Sequence, residues 1–205
     1  MRRQGVFDAV LCDIDNVIRF YDSTHVAALE RQAGLEEGTT AALAFAPEVD
    51  LPLLCGEITK REWVDAIAAG LAARVPQAQA RELGLALAQA PFTADAAVVA
   101  LLRQVRARMP LVLVTNATVE LDAELAELGL TDLADHVVNS ARVGVAKPDP
   151  RIYEIATTAA GTPPERCLFV DDRMENIDAA AALGMTGVHY RSPADLHAPL
   201  SFLRA

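Results

Sequence analysis

Cationic, aromatic and cysteine side chains are all in short supply. The 205 residues carry 18 Lys and Arg against 28 Asp and Glu, a formal net charge of −10, and aromatic residues make up 5%. Nucleic-acid affinity rests on basic groups that neutralise phosphates, and no basic cluster occurs, which excludes a general nucleic-acid binder. Lysine is the scarcest cation: only Lys60 and Lys147 occur, and the rest are arginines. A lysine in such a chain stands out, because ammonium and guanidinium are not interchangeable. Cys12, Cys55 and Cys167 are too few and too scattered for a disulfide framework or a zinc site, and they fit a reducing cytoplasm. No apolar run reaches the ~18 residues of a membrane span. The opening Met1-Arg2-Arg3-Gln4-Gly5 leads into a short apolar segment interrupted by Asp8 and Asp13, unlike a signal peptide. The expectation is a cytoplasmic protein with neither a membrane nor a nucleic-acid partner.

Hydrophobic residues make up 52% and charged residues 22%, enough to bury a core. The length suits one main domain with a smaller insertion. Three short, nearly continuous apolar runs, at 6–13, 111–115 and 167–171, read as strands buried on both faces, as in a parallel sheet. Helical patterns alternate with them at 93–108 (Thr93 as N-cap), 120–130, 150–160 and 176–183, and a last strand is read at 186–190. This alternation predicts a doubly wound α/β domain with a parallel, Rossmann-like sheet. Residues 20–90 break the rhythm. They show no strand pattern, and helices are read at 23–33, 59–73 and 78–90, punctuated by Pro47, Pro52, Pro76 and Pro91. The expected domains are a core of 1–19 and 91–205 and a small all-helical insertion of 20–90.

In an open parallel sheet, ligands bind beyond the carboxyl ends of the strands. The residues ending the apolar runs are Asp13, with Asp15 two positions on, Thr115 with Asn116, and Asp171 with Asp172. Lys147 lies in a further loop, Gly144-Val-Ala-Lys-Pro-Asp-Pro150, ahead of a helix. If the strands are neighbours, these groups converge. Clustered carboxylates repel unless a cation sits among them, and a few carboxylates plus water favour Mg2+. A divalent cation with one lysine and a hydroxyl–amide pair suits a phosphoryl group, whose charge they would offset.

The order of these features resembles the haloacid dehalogenase (HAD) superfamily of aspartate-nucleophile phosphatases. Its first motif matches Asp13-Ile14-Asp15, its second Thr115, its third Lys147-Pro148 and its fourth Asp171-Asp172, with Arg173, Asn176 and Gly184 in familiar positions. The helical segment is similar to the family's cap, which follows the first motif. Gly56 to Trp63 is similar to a recurrent start of a cap helix. One departure is Asn16, where many members carry Gly. Asn tolerates the left-handed backbone such a turn needs.

The resemblance implies a Mg2+-dependent phosphatase acting on a small phosphorylated metabolite, a phosphate monoester such as a sugar phosphate, through an aspartyl-phosphate. In that reading Asp13 is the nucleophile and Asp15 the general acid/base. Thr115 and Asn116 hold phosphoryl oxygens and Lys147 neutralises charge. The metal is held by Asp13, the backbone carbonyl of Asp15, Asp172 and, directly or through water, Asp171. Arg19, Tyr21, Phe45, Arg61 and Trp63 are candidates for substrate selection by the cap. A phosphate-transferring mutase, a dehalogenase-type hydrolase and a non-catalytic phospholigand binder are alternatives, and monomer and homodimer are both open. Asp15 speaks against the dehalogenase and the binder, neither of which needs an acid there.

Overall fold

A computed structural model of the protein describes residues 7–204. Residues 1–6, with the charged opening and Val6 of the first apolar run, lie outside the described residues. The chain folds as two compact units, one of Met1–Phe20 with Ala94–Ala205, the other of Tyr21–Thr93. In chain order, β1 (Ala9–Cys12) leads through a tight loop to β2 (Arg19–Tyr21). There follow α1 (Thr24–Gln32), α2 (Thr39–Ala44), α3 (Pro47–Leu54), α4 (Lys60–Leu71) and α5 (Gln77–Ala88). Then β3 (Phe92–Ala94) pairs with β2 in a two-stranded sheet. The first unit resumes with α6 (Ala96–Arg106), β4 (Leu111–Thr115), α7 (Leu121–Glu127), β5 (His136–Asn139) and α8 (Ser140–Val143). It ends with α9 (Pro150–Ala160), β6 (Cys167–Asp171), α10 (Met174–Ala182) and β7 (Thr186–His189).

The first unit is the expected doubly wound α/β fold. Its five strands are ordered β5-β4-β1-β6-β7, and all neighbours run parallel. Successive strand residues face opposite sides. Val10 and Cys12 of β1, Leu111 and Leu113 of β4 and Leu168 and Val170 of β6 pack with Val98, Leu102, Leu121 and Leu125 of α6 and α7. Ala9, Leu11, Val112, Val114, Cys167 and Phe169 pack on the other side with Ile152, Tyr153, Ala156 and Ile177 of α9 and α10. Burial on both faces explains why these strands read as continuous apolar runs rather than alternating ones.

The second unit has its own core, centred on Trp63, Val64, Ile67, Leu71 and Leu83. Its α4 opens on a capping box: the Thr59 hydroxyl accepts from the Glu62 N–H, and the Glu62 carboxylate accepts from the Thr59 N–H. Several local expectations are corrected. The helix read at 93–108 starts at Ala96, because Asp95 rather than Thr93 caps it, accepting from the N–H groups of Ala97 and Val98, while 92–94 is extended. The strands β2, β3 and β5 and the helices α2 and α3 carried no readable signal. Among the described residues no helix is long and apolar enough to cross a membrane.

Candidate active site

The strand order places β1 between β4 and β6, so the chain winds outward from β1 in both directions. The carboxyl ends beside such a switch point form the crevice of an open α/β sheet. Asp13 follows β1, Thr115 ends β4 and Asp171 ends β6. The Asp13 N–H donates to the Val170 carbonyl, fixing the nucleophile candidate against the end of β6.

Lys147 joins these ends. Lys147 is 3% exposed, and its ammonium lies 2.8 Å from Asp13 Oδ1 and 2.6 Å from Asp171 Oδ2. Burial disfavours the ammonium, but the two carboxylates outweigh it and hold its pKa above the ordinary lysine value. Burial pushes the Asp13 carboxyl up to about 7; Lys147 opposes the shift, and Asp171 and Asp15 add to it. Asp171 accepts from three donors. Its Oδ1 accepts from the Arg173 N–H at 2.8 Å and from Asn176 Nδ2 at 2.9 Å, leaving Oδ2 to the lysine. Asp172 is half-buried, which raises its carboxyl, while a 3.0 Å bond from Asn16 Nδ2 opposes the rise. Asn16 takes the left-handed backbone the sequence implied, with φ of 59°. In that turn its amide reaches the fourth motif, a contact glycine could not make.

One carboxylate oxygen from each of Asp13, Asp171 and Asp172 lies within 4.8 Å of the others. Three hard oxygen donors at that spacing fit a Mg2+ ion completed by water and a backbone carbonyl. Asp15 does not join this cluster with its side chain. The Thr115 hydroxyl is fully buried and finds no hydrogen-bond partner among the described residues. A buried hydroxyl left unpaired is costly, so it marks a position where an oxygen-rich ligand fits.

Asn116 is engaged elsewhere. Its Nδ2 donates to the Lys147 carbonyl at 2.9 Å and its Oδ1 accepts from the Lys147 N–H at 2.7 Å. Its side-chain amide therefore positions the lysine loop. Ser140 Oγ accepts from the Ala117 N–H and Asn139 Nδ2 donates to the Thr118 carbonyl, pinning the loop after β4 from the end of β5. Neither residue was legible, because β5 itself was not. Cys12 is fully buried, and burial, then the Asp13 charge, pushes its thiol well above its ordinary value; it is a protonated packing residue.

Among the substrate-selection candidates, Trp63 is buried in the core of the second unit, its Nε1 donating to the Ala44 carbonyl. Arg19 is buried in the first unit, where its guanidinium meets Asp15. Tyr21 and Phe45 are exposed.

A family model for haloacid dehalogenase-like hydrolases matches residues 7–184. Among curated relatives, a sesquiterpene phosphatase of Aspergillus oryzae is 35% identical over 97 residues, covering 46% of this chain and 50% of that protein. A phosphoserine phosphatase of Thermus thermophilus is 35% identical over 92 residues, covering 43% of this chain and 37% of that protein. The chain thus spans half or less of these relatives' length. Among solved structures, a HAD family enzyme of Bacteroides thetaiotaomicron, in complex with magnesium and inorganic phosphate, superposes with a TM-score of 0.69 at 19% identity. It covers 91% of this chain and 96% of that one.

Proposed function

The chain belongs to the haloacid dehalogenase-like hydrolase family, and from that premise we propose that it is a Mg2+-dependent phosphatase of small phosphate monoesters. The observation that carries this reading is the buried ammonium of Lys147 shared by Asp13 and Asp171, with Asp172 beside them and the unpaired Thr115 hydroxyl at the end of the adjoining strand β4. Phosphatase relatives and a structural neighbour holding magnesium and phosphate support it.

In the proposed reaction an Asp13 oxygen attacks phosphorus. The bond from phosphorus to the ester oxygen breaks, and Asp15 gives that oxygen its proton. Asp15 then takes a proton from water, whose oxygen attacks the phosphorus of aspartyl-phosphate. The bond to Asp13 breaks, inorganic phosphate leaves, and the site is restored. Splitting one displacement in two lowers the barrier of each. Lys147 keeps Asp13 oriented and offsets charge on the phosphoryl oxygens, and Thr115 donates to one of them. Bound by Asp13, Asp172 and the Asp15 carbonyl, with Asp171 reaching it directly or through water, Mg2+ would neutralise phosphoryl charge and favour the ionised, nucleophilic form of Asp13.

The test is phosphate release from a panel of monoesters with and without Mg2+. Release is expected to require the metal and to vanish in Asp13→Asn, which keeps the size and the fold of the native residue. Wild-type rates in Asp13→Asn, or no release from any ester by folded, metal-loaded protein, overturn the proposal.

A further inference from the structure

We infer that Arg19, anchored by Glu124, is the positioning residue that fixes the carboxylate of Asp15; this rests on the phosphatase reading above. The Arg19 guanidinium is 2% exposed. It grips both Asp15 oxygens as a fork, with Nε donating to Oδ1 at 2.6 Å and Nη2 to Oδ2 at 3.0 Å. Its third nitrogen, Nη1, donates to Glu124 Oε2 at 2.5 Å, across 105 residues of sequence, from α7. The backbone closes the same loop: the Arg19 N–H donates to the Ile14 carbonyl and the Asn16 N–H to the Arg19 carbonyl. Asp15 and Arg19 are therefore held in one hydrogen-bonded turn.

A purely structural role does not account for this choice of residue. Desolvating a guanidinium is costly, and an apolar side chain of similar size commonly fills such a space with equal or greater stability. Lysine could supply the charge but not two parallel bonds in one plane. The fork fixes the plane and the azimuth of the Asp15 carboxylate, which an acid/base group needs if it is to meet the leaving oxygen in line. Because Glu124 holds the opposite side of the guanidinium, Arg19 keeps the fork in place while the second lone pair of an Asp15 oxygen handles the proton.

The experiment separates a positioned acid from a merely stable fold by leaving group. An alkyl ester, glycerol phosphate, needs its leaving oxygen protonated; p-nitrophenyl phosphate, with a stable phenolate, does not. The quantity read is kcat/KM, which covers steps up to release of the first product, in wild type, Arg19→Met, Arg19→Lys, Glu124→Gln and Asp15→Asn. In Arg19→Met the alkyl ester is expected to lose roughly tenfold to a hundredfold, part of the gain general acid catalysis supplies, while p-nitrophenyl phosphate is nearly unchanged. Arg19→Lys and Glu124→Gln should show the same selectivity at smaller size, and they decide the matter if Arg19→Met does not fold. Adding Arg19→Met to Asp15→Asn should cost the alkyl ester nothing further. Equal losses on both esters, or additive losses in the double variant, overturn the role of Arg19 while leaving the phosphatase reading intact. No phosphate release by the folded, metal-loaded wild-type protein from any ester of the panel overturns both.

Discussion

Asp13 and Lys147 each carry a charge that burial opposes, and they tolerate it because they face each other. The balance is incomplete without a further cation, since two buried acids share one ammonium and the Asp13 carboxyl rises to about 7. An acid with a raised folded-state pKa binds more protons folded than unfolded between its unfolded value, about 4, and its folded one. Its contribution to stability is thus complete below about pH 4 and lost as pH rises towards 7. Asp172, also raised, acts in the same sense. The carboxyls of Asp8, Asp22, Glu62, Asp135, Asp149 and Asp195 are held low, so from about pH 5 upward they are ionised when folded and largely so when unfolded, and they offset little of this loss. Metal-free protein is therefore expected to melt at lower temperature at pH 7.5 than at pH 5. A ligand of the folded state stabilises by mass action, and protons compete for the same oxygens. Mg2+ should accordingly raise the melting temperature more at pH 7.5 than at pH 5, as read by thermal denaturation. A metal effect independent of pH would contradict this account of Asp13.

At the scale of elements, packing against the sheet decides how firmly the site is held. Gly187 in β7 faces α10, and a methyl group there would stand 2.5 Å from Ile177 Cγ2. Next to Ile177 sits Asn176, whose amide bonds Asp171, so a shift of α10 reaches the acidic loop. Gly187→Ala is expected to cost about 1–3 kcal/mol by overpacking, a loss readable in denaturant titration. Ile177→Leu, which has no branch at Cβ, should recover part of it; an undiminished Gly187→Ala would show that the helix yields freely. The same packing explains what the sequence disclosed. Strands β4 and β6 are buried on both faces and announce themselves as unbroken apolar runs. The edge strand β5 begins with exposed His136 and Val137, so it has no such signature. Helix α3 begins at Pro47 and contains Pro52, and both prolines read as breaks. Asp13, Thr115 and Asp171 were legible as strand-terminal residues. The Asp15–Arg19–Glu124 chain was not, since its halves lie 105 residues apart and only the fold brings them together.

For the whole molecule, the two units have separate hydrophobic cores, and the chain passes between them twice. Contact density and core integrity set cooperative unfolding units, so the two need not melt together. The sequence supplies a reporter for one of them alone: Trp63 is the single tryptophan and is buried in the core of the second unit. The three acids that could hold a cation all belong to the first unit. On the proposal above, added Mg2+ would bind the native form of the first unit and shift the transition of that unit. Tryptophan fluorescence and far-UV circular dichroism, followed through one urea titration, are therefore expected to diverge when Mg2+ is added. The dichroism midpoint, which reports both units, should move upward, while the fluorescence midpoint moves little. Equal movement of both would mean that the units unfold as one, and the stability contributed at the acidic cluster would then extend to the helical unit as well.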